Sequence, residues 1–205
     1  MKNPAKSLLV AAVAAAATVF AFAAPEVGSP APDFTLTDIN GQTHSLSQFK
    51  GKTVVLEWVN PECPFVVKHY EKSGNIPATQ AAAVKDGVIW LTINSGHPGA
   101  QGDYDKGKVE AWAKANKFAG TAYFRDQDGK VGKLYDARTT PHLFVIDPAG
   151  TLVYAGGIDD IRSSNPGDIA KATNFVNATL ADLKAGRKVA KPVSTPYGCS
   201  VKYGK

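Results

Sequence analysis

The run Thr53-Val54-Val55-Leu56-Glu57-Trp58-Val59 leads directly into Asn60-Pro61-Glu62-Cys63-Pro64. Its first part is mostly apolar and rich in β-branched residues, the pattern of a strand buried on both faces. Pro61 ends it. Pro64 suits the first turn of a helix, where its missing N–H leaves no bond unmade. A helix is therefore expected from Cys63-Pro64 through His69-Tyr70 toward Gly74. A cysteine at such a junction meets unpaired N–H groups and the positive end of a helix dipole, and both favour a thiolate. Glu62 opposes this, while Lys68 and His69, one to two turns along, are candidates to offset it. The other reading of Cys63 is an inert buried thiol.

Upstream, Ala24 to Pro32 reads as an extended arm. Phe34-Thr35-Leu36-Thr37 alternates like a short strand, Asn40-Gly41 signals a two-residue hairpin turn, and Gln42-Thr43-His44 returns. Ser45 to Phe49 reads as a single helical turn. Downstream, a helix is expected over Pro77 to Lys85, a buried strand over Val88 to Ile93, a Gly/Pro loop over Asn94 to Tyr104 and an amphipathic helix over Lys106 to Phe118. Leu143-Phe144-Val145-Ile146 and Leu152-Val153-Tyr154 form a hairpin through Pro148-Ala149-Gly150. A last helix is expected over Gly167 to Ala185, stopped by Gly186. Strands alternating with helices imply parallel pairing with right-handed crossovers, and the closing hairpin makes the sheet mixed. The class is α/β: a mixed central sheet flanked by helices in the order of the thioredoxin fold, with an added N-terminal β-hairpin. The expected domain covers residues 24–186, and residues 187–205 form a tail that carries Cys199.

The 205 residues are 44% hydrophobic and 20% charged, an ordinary globular composition that excludes collagen-like, coiled-coil and disordered chains. The net charge of +5 comes with no dense Lys/Arg cluster, which argues against nucleic acid as a partner. Lys2 and Lys6 precede an uncharged alanine-rich run that closes on Ala21-Phe22-Ala23. This is the order of a secretory signal over residues 1–23, with cleavage expected after Ala23. The alternative is a retained membrane anchor, but the run is short of the roughly 20 residues a span needs. The expected location is periplasmic or otherwise secreted, with no membrane anchor after cleavage. Two cysteines are too few for a disulfide scaffold and enough for one redox pair in an oxidising compartment.

Thr139-Thr140-Pro141 precedes a strong strand, and a cis bond at Thr140–Pro141 suits so tight a start. His44, His69, His97 and His142 have no metal spacing, so no metal is expected. A copper site on Cys63 and one histidine would lack a second thiolate. Asp126-Gln127-Asp128-Gly129 stops short of a calcium loop and reads as a turn. Trp58 and Tyr70 read as packing residues. There is no flavin or nicotinamide motif, and no organic cofactor is expected.

Ala31-Pro32-Asp33-Phe34-Thr35-Leu36, Asn40-Gly41, Leu46-Ser47, Lys50-Gly51-Lys52 and Pro61-Glu62-Cys63-Pro64 together resemble the redoxin group of the thioredoxin-fold superfamily. The likeness is to its peroxiredoxin-like branch, related to alkyl hydroperoxide reductase and thiol-specific antioxidant. Thr139-Thr140-Pro141 and the strand after it resemble the cis-Pro strand of thioredoxins. Tyr197-Gly198-Cys199-Ser200-Val201-Lys202-Tyr203 resembles the C-terminal motif of a peroxiredoxin-like branch. The resemblance spans residues 30 to 203. The chain departs from it at Asn60, where thioredoxins carry a first cysteine and peroxiredoxins a threonine. It departs again at Pro141, where peroxiredoxins carry an arginine. Arg138 is either a substitute cation or a solvated loop residue.

The resemblance implies a thiol oxidoreductase with Cys63 as nucleophile and Cys199 as resolving thiol, acting on peroxides or protein disulfides. Asn60, Pro61, Thr140 and Pro141 would line the substrate site, and Arg138 would polarise it. Reducing equivalents would come from an external thiol. The competing expectation is a redox-silent binding or scaffold module, with a Cys63–Cys199 disulfide as a staple worth roughly 5 kcal/mol in the chain-entropy account.

Overall fold

The computed structural model describes residues 24–204. The expected signal over residues 1–23 lies outside the described residues. Strands β1 (Thr35–Thr37) and β2 (Thr43–Ser45) form the N-terminal hairpin. Its turn is longer than the two residues expected, because the Asp38 carboxylate accepts from the N–H groups of Asn40 and Gln42 and organises the whole reversal.

The central sheet has five strands in the order β5-β4-β3-β7-β8. They are β3 (Val54–Trp58), β4 (Ile89–Asn94), β5 (Ala122–Arg125), β7 (His142–Ile146) and β8 (Leu152–Gly156). β3 lies at the centre, parallel to β4 and antiparallel to β7. Both its faces are covered, which is why its sequence is apolar almost throughout. Val55 and Val59 pack with Trp90, Tyr123 and Val145 on one side, while Val54, Leu56 and Trp58 pack with Leu91, Phe144 and Ile146 on the other. Each such buried side chain stabilises the fold by about 1.5–3 kcal/mol.

Helices α1 (Pro64–Val67), α2 (Asn75–Lys85), α3 (Lys106–Ala115) and α5 (Phe175–Lys184) cover the first side. The N-terminal hairpin and α4 (Lys130–Leu134) cover the second. α1 continues as a π-helical turn over Lys68–Lys72.

The structure adds to or corrects the sequence expectations at three further points. Strand β5 and helix α4 had no expectation, because four and five residues are too few to show a period. The single helix expected over Gly167 to Ala185 is two pieces, a 3-10 stretch over Pro166–Lys171 and then α5. Ala172 is extended, and the Asn174 side chain caps α5 by accepting from the Asn177 N–H. Finally, the basic tail carries a strand: β9 (Cys199–Ser200) pairs antiparallel with β6 (Thr139–Thr140).

Candidate functional site

β3 and β7 are antiparallel neighbours, with Trp58 opposite His142. The residues that leave β3 and those that lead into β7 therefore meet at one end of the sheet. This places Asn60–Cys63 against Thr140–Pro141. The Thr140–Pro141 bond is cis. Cys63 caps α1 with extended backbone, and Pro64 is the first helical residue. The turn before it is closed by the Asn60 side chain, whose Oδ1 accepts from the Glu62 N–H at 2.9 Å, and by the Cys63 N–H donating to the Asn60 carbonyl at 3.0 Å.

Cys63 is 0% exposed. Its thiol donates to the Thr140 carbonyl at 3.1 Å. The backbone N–H of Cys199 reaches the same sulfur at 3.4 Å. Both cysteines are free thiols, Cys63 buried and Cys199 partly exposed. Burial, then the Cys63 sulfur beside it, pushes the Cys199 thiol up to about 12. Cys199 keeps its proton at neutral pH.

The tail lies flat at this point because residue 198 is glycine. Its φ is +139°, and a Cβ there would stand 2.0 Å from the Thr140 carbonyl oxygen. Beyond Cys199, the Val201 N–H donates to the Arg138 carbonyl and the Tyr203 hydroxyl to the Ala137 carbonyl. The His97 N–H donates to the Lys202 carbonyl, fastening the Gly/Pro loop to the tail.

Asn60, Pro61, Thr140 and Pro141 thus gather around Cys63, all buried. The Asn60 amide nitrogen is buried without a partner among the described residues. Arg138 enters the site through its backbone: its guanidinium is 71% exposed and paired with Asp136. Lys68 and His69 do not turn toward Cys63. They are buried against Asp159 and Tyr197 on the inner side of α1 and its π turn.

Four residues around the site were not singled out as site residues from the sequence. Glu57 is fully buried and accepts from Tyr70, Gln80, Trp90 and Thr92. Burial pushes its carboxyl up to about 7 against those four donors. Asp159 and Tyr197 are joined by a hydrogen bond at the root of the tail. Gly102, with φ +76°, leaves the room that the Asn60 side chain fills. Only the charge of Glu57 inside an apolar run was a visible signal. Asp126, by contrast, is committed to Ser95 and to the first N–H groups of α4, consistent with a turn.

Residues 27–155 match the profile of the AhpC/TSA family. The chain belongs to the AhpC/TSA family. Within this family context, it is 34% identical over 134 residues to the thiol-disulfide oxidoreductase ResA of Geobacillus kaustophilus. That alignment takes in 62% of this chain and 66% of ResA, so the chain spans just under two thirds of the relative's length. Among solved structures, a hypothetical protein from Sinorhizobium meliloti superposes with a TM-score of 0.76 at 27% identity, covering 89% of this chain and 97% of that one. The exposed lipoprotein thioredoxin of Streptococcus pneumoniae gives a TM-score of 0.51 at 24% identity, covering 75% and 99%. This AhpC/TSA chain has the thioredoxin fold, with its mixed five-stranded sheet and added N-terminal hairpin.

Proposed function

We propose that the protein is an exported thiol–disulfide oxidoreductase whose Cys63 and Cys199 cycle between dithiol and disulfide. The observation that carries this reading is the Cys199 N–H at 3.4 Å from the Cys63 sulfur, with Thr140 on the other side. The match to ResA, itself a thiol-disulfide oxidoreductase, supports it. Export rests on the sequence of residues 1–23.

In this reading the Cys63 thiolate attacks one sulfur of a protein disulfide and expels the other as a thiolate. Cys199 then attacks Cys63 of the mixed disulfide, releases the substrate's second thiol and closes Cys63–Cys199. With a peroxide, Cys63 would take one oxygen to become a sulfenic acid while the alcohol or water leaves, and Cys199 would expel water. In either case an external dithiol reduces the bond and is itself oxidised. The unpartnered amide of Asn60 is the donor offered to a substrate oxygen or sulfur. Thr140 and Pro141 form the wall opposite. The tail shields Cys63, so a protein substrate reaches it once residues 197–203 lift.

The test is intact mass after reduction and one equivalent of oxidant. The expected result is a rapid loss of about 2 Da in the wild type and in neither Cys63→Ser nor Cys199→Ser. The native bond should then reduce above about −300 mV with the fold intact. A bond that resists reduction below that potential would instead assign a static staple and a binding role.

A further inference from the structure

Tyr197 stands two residues before Cys199 and is buried. Its hydroxyl donates to Oδ1 of Asp159. The Tyr197 hydroxyl oxygen also lies 3.1 Å from His69 Nε2. His69 Nδ1 lies 3.0 Å from the Asn75 amide nitrogen, which donates to it, so the imidazole proton sits on Nε2 and points at Tyr197. Lys68, 0% exposed, places Nζ 3.3 Å from the Ile161 carbonyl, 3.8 Å from Asp159 Oδ2 and 5.6 Å from the centre of the Tyr197 ring. The ring also packs edge-on against Phe65. Lys68 and His69 belong to the helical segment that Cys63 begins. One phenol therefore ties the tail to the element that presents the other cysteine.

This cluster is a poor choice for stability alone. Buried ions lose their hydration, and a well-packed apolar cluster holds a segment at least as well. What a directional bond adds is register. An apolar anchor tolerates a slip of one residue, and a slip of one residue in a strand turns every side chain to the opposite face. Such a slip would carry Cys199 away from Cys63. The pairing that sets Cys199 opposite Thr140 is only two residues long, and beyond it the tail is held by single bonds from Val201 to Arg138, from Tyr203 to Ala137 and from His97 to Lys202.

We propose that Tyr197 is a positioning residue: its hydroxyl, held by Asp159 and His69, fixes the register of the tail and so sets the effective concentration of Cys199 at Cys63. This rests on the reading of Cys63 and Cys199 as an exchanging pair. Removing the hydroxyl leaves the ring in place and frees the segment to sample other registers. The intramolecular advantage of the two thiols falls accordingly.

The experiment equilibrates the full chain with glutathione buffers and weighs the acid-quenched protein. In the step measured, two cysteine thiols give up two protons and two electrons, and glutathione disulfide leaves as two glutathione thiols. Tyr197→Phe should lower the equilibrium constant for the Cys63–Cys199 bond about tenfold, a shift of about 30 mV toward easier reduction. Tyr135→Phe loses a comparable hydroxyl bond, to the Pro32 carbonyl of the N-terminal arm, and should leave that constant unchanged. Asp159→Asn removes the charge of the acceptor, should move the constant in the same direction, and carries the test if the phenylalanine variant does not fold. A wild type that closes the bond while both tail variants match its constant overturns the proposal and leaves the exchanging pair standing. A wild type that closes no bond at any glutathione ratio overturns both.

Discussion

The backbone N–H of Cys199 points at the sulfur of Cys63 across a separation of 136 residues, with 3.4 Å from nitrogen to sulfur. The contact exists because the tail adds an antiparallel partner to Thr139–Thr140, the two residues that precede the cis proline. A donor beside a thiolate stabilises its charge. The second thiol arrives on the same strand that supplies that donor.

Substituting Cys199 should therefore leave Cys63 unresolved. Cys199→Ser challenged with glutathione disulfide is expected to hold a mixed disulfide at Cys63, read as an added mass of one glutathione. The wild type should pass through that species and end as the internal disulfide. Cys63→Ser should form no internal bond under the same conditions.

Gly198→Ala should lift the tail. The added carbon would stand 2.0 Å from a backbone oxygen that no rotamer can move. The expected cost is about 1–3 kcal/mol in urea unfolding. Alkylation of Cys63 by iodoacetamide should accelerate by about tenfold or more, because the strand that covers it departs. An unchanged alkylation rate would show that the tail does not limit access.

Glu57 should make stability depend on pH in an identifiable direction. Its carboxyl sits near 7 in the folded protein against an ordinary value of 4.5. The folded state binds the proton more tightly, so the contribution is complete below about 4.5 and is lost as pH rises through 7. The loss is on the order of 3 kcal/mol. His69, held down to about 3 by burial and Lys68, works the other way, losing stability as pH falls below about 6.5. The wild type minus Glu57→Gln difference cancels the histidine and isolates the carboxyl. Trp90 donates to Glu57 at 2.8 Å, so tryptophan fluorescence should titrate near pH 7 in the wild type and not in the variant.

Lys68→Met should be costly because it leaves the buried Asp159 carboxylate without its cation. The expected loss is about 3 kcal/mol in urea unfolding. Adding Asp159→Asn should recover part of it, since the second change removes the uncompensated charge. A double variant no more stable than Lys68→Met alone would mean that the two groups do not compensate each other.

Much of the architecture was legible locally. The apolar runs over Thr53–Val59, Val88–Ile93 and Leu143–Ile146 and the helical stretches over Pro77–Lys85 and Lys106–Phe118 follow from composition and periodicity, and each contains or overlaps an observed element. Pro64 after Cys63 marked the start of a helix, and Thr140–Pro141 marked a special bond before a strand. The short elements β5 and α4 escaped because they hold no more than two periods of any pattern.

The sequence by itself determined four of the five strands of the central sheet, the longer helices that cover it and a cysteine at the end of the central strand, because each depends on residues close together along the chain. The tertiary structure alone decided that Cys199 meets Cys63, that Lys68 and His69 face Asp159 and Tyr197 instead of the thiol, and that the Arg138 guanidinium turns to solvent. Those facts depend on which distant segments the folded sheet brings to one end. Local spacing carries no record of a pairing closed across more than a hundred residues.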